Sequence, residues 1–141
     1  MTIVLIVVGM LVTGCAQPTV KPGPEAAVTI EPIDGTDLAR ITVSERAAER
    51  LAIHTEPVRD EPRAGQRRAV VSFAAVVYDA DGNTWAYIAS QPLVFTRQAI
   101  TVDFIDDGDA VLTDGPSPGT KVVTVGAAEL YGAETGVGGG H

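Results

Sequence analysis

With one cysteine and two histidines in 141 residues, the chain cannot close an internal disulfide and is poorly supplied for a zinc cluster. Basic residues are also scarce. Lys and Arg number 10 against 18 Asp and Glu, a formal net charge of −8, which argues against a nucleic-acid surface with its clustered Lys and Arg. Aromatic residues make up only 5%, so few rings are on hand to fill a core. The length suits one domain plus a short extra segment. It is too small for a barrel enzyme or for a dinucleotide-binding enzyme with its substrate domain. No Gly-rich phosphate loop is present, since Gly136-Val137-Gly138-Gly139-Gly140 follows no strand and opens no helix. Ser44 and Ser72 lack a histidine and an acid at triad spacing, so the chain reads as non-enzymatic.

What is present begins at the N-terminus. Residues 1–20 carry no charged side chain, and Thr2 to Val12 is continuously apolar apart from Thr2 and Gly9. A run of about 11 residues falls short of the roughly 20 that span a bilayer. It fits the apolar core of a signal peptide. Val12-Thr13-Gly14-Cys15 follows and resembles the lipobox of bacterial lipoproteins, with small residues before the cysteine. That resemblance implies a signal peptide over 1–14, acylation of Cys15, and a membrane-anchored protein on the extracytoplasmic side. Several acyl chains bury enough methylenes for durable anchoring. The Pro-rich stretch that follows reads as a tether over 15–36, with one possible short strand at Ala27–Ile30.

The rest is patterned for strands. Leu38–Val43 alternates apolar and polar residues. Ser44 followed by Glu45 to Leu51 reads as a capped two-turn helix. Ile53–Val58 alternates again. Ala69–Tyr78, Thr84–Ala89, Leu93–Arg97, Ile100–Ile105, Ala110–Thr113 and Lys121–Val125 are further strands separated by polar turns, and a short helix follows at Ala127–Tyr131. The fold class is therefore mainly β: a small antiparallel barrel or sandwich with one short helix after the first strand and a short C-terminal helix. The domain is expected over 37–131, with a disordered Gly-rich tail over 132–141. Alternation places Ile41, Val43, Leu51, Val71, Phe73, Val77, Ile88, Phe95, Val102, Leu112, Val123 and Val125 inside.

Candidate chemistry is sparse. Asp79-x-Asp81-x-Asn83 begins like a calcium loop but has Thr84 where Gly is required and Ser90 where a bidentate Glu is required, so it reads as a hairpin turn. Asp106, Asp107 and Asp109 read as a solvated turn, and His54 as a surface or half-buried strand residue. No metal or cofactor is expected. Arg59, Arg63, Arg67 and Arg68 form a basic cluster in an aperiodic loop over 59–68. The plain reading is solvated surface; the functional one is a contact for lipid headgroups or an acidic partner.

Ile41-Thr42-Val43-Ser44, the helix Glu45–Leu51 and Ala52-Ile53-His54-Thr55-Glu56-Pro57-Val58 resemble a segment of periplasmic adaptor subunits, or membrane fusion proteins, of RND-type efflux systems. Ala52 stands where that family often has Gly. Val71–Asp79, Trp85-Ala86-Tyr87, Phe95-Thr96-Arg97, Ile100-Thr101-Val102, Ala110-Val111-Leu112 and Gly119–Ala127 are similar to the family's last domain, with Ser72 in place of a usual Pro. The resemblance implies a membrane-proximal β domain without the family's barrel, lipoyl-like and helical-hairpin parts, the short 59–68 segment standing in for all three. It also implies that the strands near 53–58, 69–78 and 121–125 share one domain, and that a transporter is a possible partner. The alternative carried beside it is a small-ligand or metal-binding envelope lipoprotein.

Overall fold

The computed structural model describes residues 26–136. The expected signal peptide, Cys15 and most of the expected tether lie outside the described residues, as do 137–141. Within them an antiparallel sheet of ten strands curls into a half-barrel flanked by two short helices, which is the mainly β class read from the sequence.

β1 (Val28–Pro32) pairs with β2 (Ala39–Val43) in register Val28↔Val43 to Pro32↔Ala39, so the sheet already begins inside the stretch assigned to the tether. Ala39, Ile41 and Val43 are buried while Arg40 and Thr42 face water, the two-residue period of a half-buried strand. Helix α1 (Glu45–Arg50) starts where Ser44 Oγ accepts from the Ala47 N–H at 3.3 Å, with Glu45 at its positive end and Arg50 at its negative end. It stops because Ala52 turns left-handed at φ 49°. The N–H of Ala52 then donates to the Glu49 carbonyl and that of Ile53 to the Ala48 carbonyl, the paired bonds of a Schellman ending. A glycine would adopt this conformation without penalty; Ala52 adopts it at a cost.

β3 (His54–Pro57) pairs with β10 (Lys121–Val125), and β10 joins β7 (Thr84–Gln91) through Val122↔Ile88. The strands near 53–58 and 121–125 therefore share one domain, as expected, and Val58 packs in one cluster with Val71 and Val122. The segment 59–68 is not an aperiodic loop. It forms most of a hairpin, β4 (Arg59–Arg63) and β5 (Gln66–Ser72), closed by Ala64 at φ 49° and Gly65 at φ 79°. Two positive φ angles in a two-residue link make the tight turn that matches strand twist. Pro62 argues against a central strand, but β4 is an edge strand, where a missing N–H is tolerated.

β8 (Val94–Asp106) is one strand of 13 residues where the sequence suggests two. Gln98 and Ala99 interrupt the apolar alternation, yet nothing there breaks the backbone. β8 pairs with β7 in its first half and β9 (Asp109–Asp114) in its second, and register shifts around Val102 bend it between them. β5 then pairs with β9.

Two cores result. The first, with Ile41, Val43, Tyr87, Phe95, Val123 and Leu130, lies under α1 and α2 (Ala127–Glu134); the second, with Val71, Ala86, Ile100, Leu112 and Val122, lies inside the curl. Successive residues point to opposite faces, so Ala86-Tyr87 and Val122-Val123 each feed both cores. α2 runs to Glu134, past the expected boundary at 131. Leu51, Ile88 and Val102 are half-buried. Two expected core residues point outward. Phe73 is 41% exposed because Ser72 Oγ caps a single 3₁₀ turn over Phe73–Ala75, which ends the strand and puts Ala75 in the core instead. Val125 is 46% exposed because β10 shifts register between Val123 and Val125.

Candidate functional site

The basic cluster is brought together, but not as a free positive patch. Strand register sets Arg59, Glu61, Arg63, Arg68, Val70, Asp109 and Val111 on one face of the β4–β5–β9 sheet. Arg59 and Arg63 share the Asp109 carboxylate, at 2.5 and 2.9 Å, and both also reach Glu61. Arg68 pairs with Asp103 at 2.8 Å and donates from Nε to the Leu112 carbonyl. Arg67, on the opposite face, pairs with Asp60 at 2.7 Å. Four arginines thus meet four carboxylates: Asp60, Glu61, Asp103 and Asp109. Hydrogen bonding to Asp109 raises the Arg59 pKa, and hydrogen bonding to Asp60 raises that of Arg67. Val70 and Val111 are fully buried on the arginine face, as expected where long side chains lay their methylenes over apolar neighbours. The expectation of an exposed arginine loop is therefore corrected: Arg63 and Arg68 are largely covered, and Arg67, at 66% side-chain exposure, is the most open of the four.

The Asp79 turn closes a hairpin between β6 (Val77–Tyr78) and β7. The Asp79 carboxylate accepts from the Asp81 and Asn83 N–H groups, from Asn83 Nδ2 and from Trp85 Nε1, within 2.8–3.0 Å. These bonds, that from the Asn83 side chain foremost, lower its pKa to about 2. A carboxylate so occupied has little left for a cation. No group of three or more His, Cys, Asp or Glu is placed to hold a metal ion among the described residues.

Sequence reasoning missed a polar network under α2. Glu134, 4% exposed, accepts from Arg97 Nε at 2.9 Å, from the Ala39 N–H at 3.2 Å and from the Tyr87 hydroxyl. Arg97 donates on to the Asp37 carbonyl and lies 4.3 Å from the centre of the Trp85 ring. Burial pushes the Tyr87 pKa far up, and its bond to Glu134 adds to the shift. The network joins α2 to β2, β7 and β8. Its one sequence signal was an acid at the end of a short helix, where the dipole favours a base.

A second feature the sequence did not mark is a groove of about 480 Å³ between α1 and the β7–β8 turn. Ala48, Ile53, Ala89, Leu93 and Phe95 supply its apolar lining, Thr55, Ser90 and Gln91 its polar groups, and Lys121 its one charge. The turn is tight: Pro92 is followed by Leu93 at φ 62°, a conformation where Gly is usual, and the Leu93 carbonyl accepts from the Val43 N–H at 2.9 Å.

Comparison with family models, curated proteins and solved structures finds no match to the chain. No helix among the described residues is long and apolar enough to cross a membrane.

Proposed function

We propose that this chain is a non-enzymatic, lipid-anchored protein of the cell envelope, whose β domain serves as an accessory binding module for a membrane transporter in the manner of an adaptor's membrane-proximal domain. The observation that supports this reading is the junction of the domain. Strands before Arg59 and after Ser72 belong to one sheet system, and a hairpin over 59–72 bridges them directly, which is the arrangement that the adaptor resemblance requires. Cys15 would hold the domain at the bilayer surface and raise its effective concentration near a membrane partner.

The test is fractionation with acyl labelling. Expressed in a bacterial host, the chain should partition with membranes and incorporate labelled palmitate. Cys15→Ser should abolish the label and release the protein or leave an uncleaved precursor. Recovery of the unsubstituted chain as an unlabelled soluble protein would defeat the anchoring. For the partner, chemical crosslinking in intact cells should recover a transporter permease; crosslinks confined to lipid or to copies of the chain would remove the transport role.

A further inference from the structure

We infer that the groove between α1 and the β7–β8 turn is a binding site for a long-chain carboxylate in monomeric form, its hydrocarbon on Phe95, Ile53, Leu93 and Ala89 and its head group at Lys121. Three observations on the groove carry this. Its volume, about 480 Å³, lies in the range of small-ligand sites, roughly 300–1,000 Å³, and its lining has their usual make-up, mainly apolar with a few convergent polar groups. Its single charge is positive in a chain of net charge −8, and Lys121 takes part in no salt bridge among the described residues. One wall is Leu93, a bulky residue held at positive φ where glycine would be unstrained; backbone strain of this kind concentrates at ligand clamps and active sites.

The orientation follows from charge. Past Leu93 the groove adjoins a recess lined by Glu45, Glu49 and His54. A carboxylate is unfavourable beside those acids and favourable beside Lys121. Thr55 and Lys121 stand on the same face of the β3–β10 pair as the buried Val123, so a hydroxyl and an ammonium group converge where the chain of methylenes would end. An uncharged amphiphile would gain the apolar contacts but not the charge-assisted hydrogen bond, which is about twice as strong as a neutral one.

The site does not depend on the anchoring proposed above, and the Cys15→Ser chain should bind as the unsubstituted chain does. The probe is dansylaminoundecanoic acid, titrated against the full chain below its micellar concentration, with dansylaminoundecanol as the uncharged control. The expected result is saturable binding at one probe per chain, with the acid preferred over the alcohol. Lys121→Glu should weaken the acid by about tenfold or more and leave the alcohol within about twofold. Leu93→Gly keeps the turn, since glycine accepts its φ, and should weaken both probes through the lost wall. Circular dichroism should show both variants folded. Absence of saturable binding, equal affinity for acid and alcohol, or indifference of the acid to Lys121→Glu would each overturn the inference. So would association with phosphatidylglycerol vesicles without any binding of the monomeric acid.

Discussion

Removing the carboxylate of Glu134 perturbs the joint between α2 and the sheet. Glu134→Ala deletes the acceptor for three donors at once: Arg97 Nε, the Ala39 N–H and the Tyr87 hydroxyl. Glu134 is 4% and Arg97 12% exposed at the side chain, so neither is well screened by water. Breaking a buried ion pair by removing one partner costs about 3–5 kcal/mol, because the other charge stays buried without compensation. Three lost hydrogen bonds at about 1 kcal/mol each give a similar figure by a separate route. Against a domain stability of about 5–15 kcal/mol, the variant should unfold at a clearly lower urea concentration with the same slope. Arg97→Met should cost about as much. The Glu134→Ala, Arg97→Met pair should cost less than the sum of the two single losses by at least about 1 kcal/mol, since the second substitution removes the group that the first stranded. Trp85, the only tryptophan, lies beside Arg97, so native-state fluorescence should change in the variants that lose Arg97. A loss below about 1 kcal/mol for Glu134→Ala, or strict additivity, would show that the network closes over α2 without holding it.

Tyr87 keeps its proton to higher pH in the folded chain than in the unfolded one, so its contribution to stability is complete below about pH 10 and falls as pH rises beyond it. Tyr87→Phe should flatten that alkaline loss in urea melts taken from pH 8 to 11. Asp79 is shifted the other way, to about 2. Its contribution is present above about pH 4 and is lost as pH falls through the interval down to 2, so Asp79→Asn should weaken the domain at neutral pH and bring the two proteins together near pH 2. Ala52→Gly relieves the left-handed φ of 49° and should raise stability by about 0.5–1 kcal/mol, after the larger entropy of glycine in the unfolded chain is subtracted. A fall in the melting midpoint would contradict the Schellman ending of α1. Arg67→Glu should leave the melting midpoint little changed, as loss of an exposed pair does, whereas Arg63→Glu sets a third carboxylate beside Glu61 and Asp109 and should lower it clearly. Equal melting midpoints for the two would refute the arginine-face geometry.

Local signals were legible where a single residue type has one structural use. Ser44 marked a helix start, Asp79 to Asn83 marked a hairpin, and alternation marked β2, β7, β9 and β10. The failures have a common physical origin, because they depend on long-range pairing. Arg59 to Arg68 looked aperiodic because both faces of β4 carry charge; Asp103 and Asp109, more than thirty residues away in sequence, complete the pairing that Asp60 and Glu61 begin. Phe73 looked buried because alternation was carried through a strand that Ser72 had already ended. The groove went unmarked because its walls come from α1, the β7–β8 turn and one end of β10, and no window of sequence contains all three.

That difference between local and long-range signals bears on where a binding partner can act. An arginine cluster attracts anions at a distance only through its uncompensated charge, and here each guanidinium has a carboxylate within 3.2 Å. An anionic headgroup would have to displace Asp109 or Asp103 from geometry that covers Val70 and Val111, and so would compete with the fold itself. Lys121 has no such competitor among the described residues, and an apolar surface lies next to it. At Lys121 both the charge and the hydrocarbon of an amphiphile find a place without dismantling anything, whereas the arginine face is already committed to the hairpin that joins the two halves of the domain.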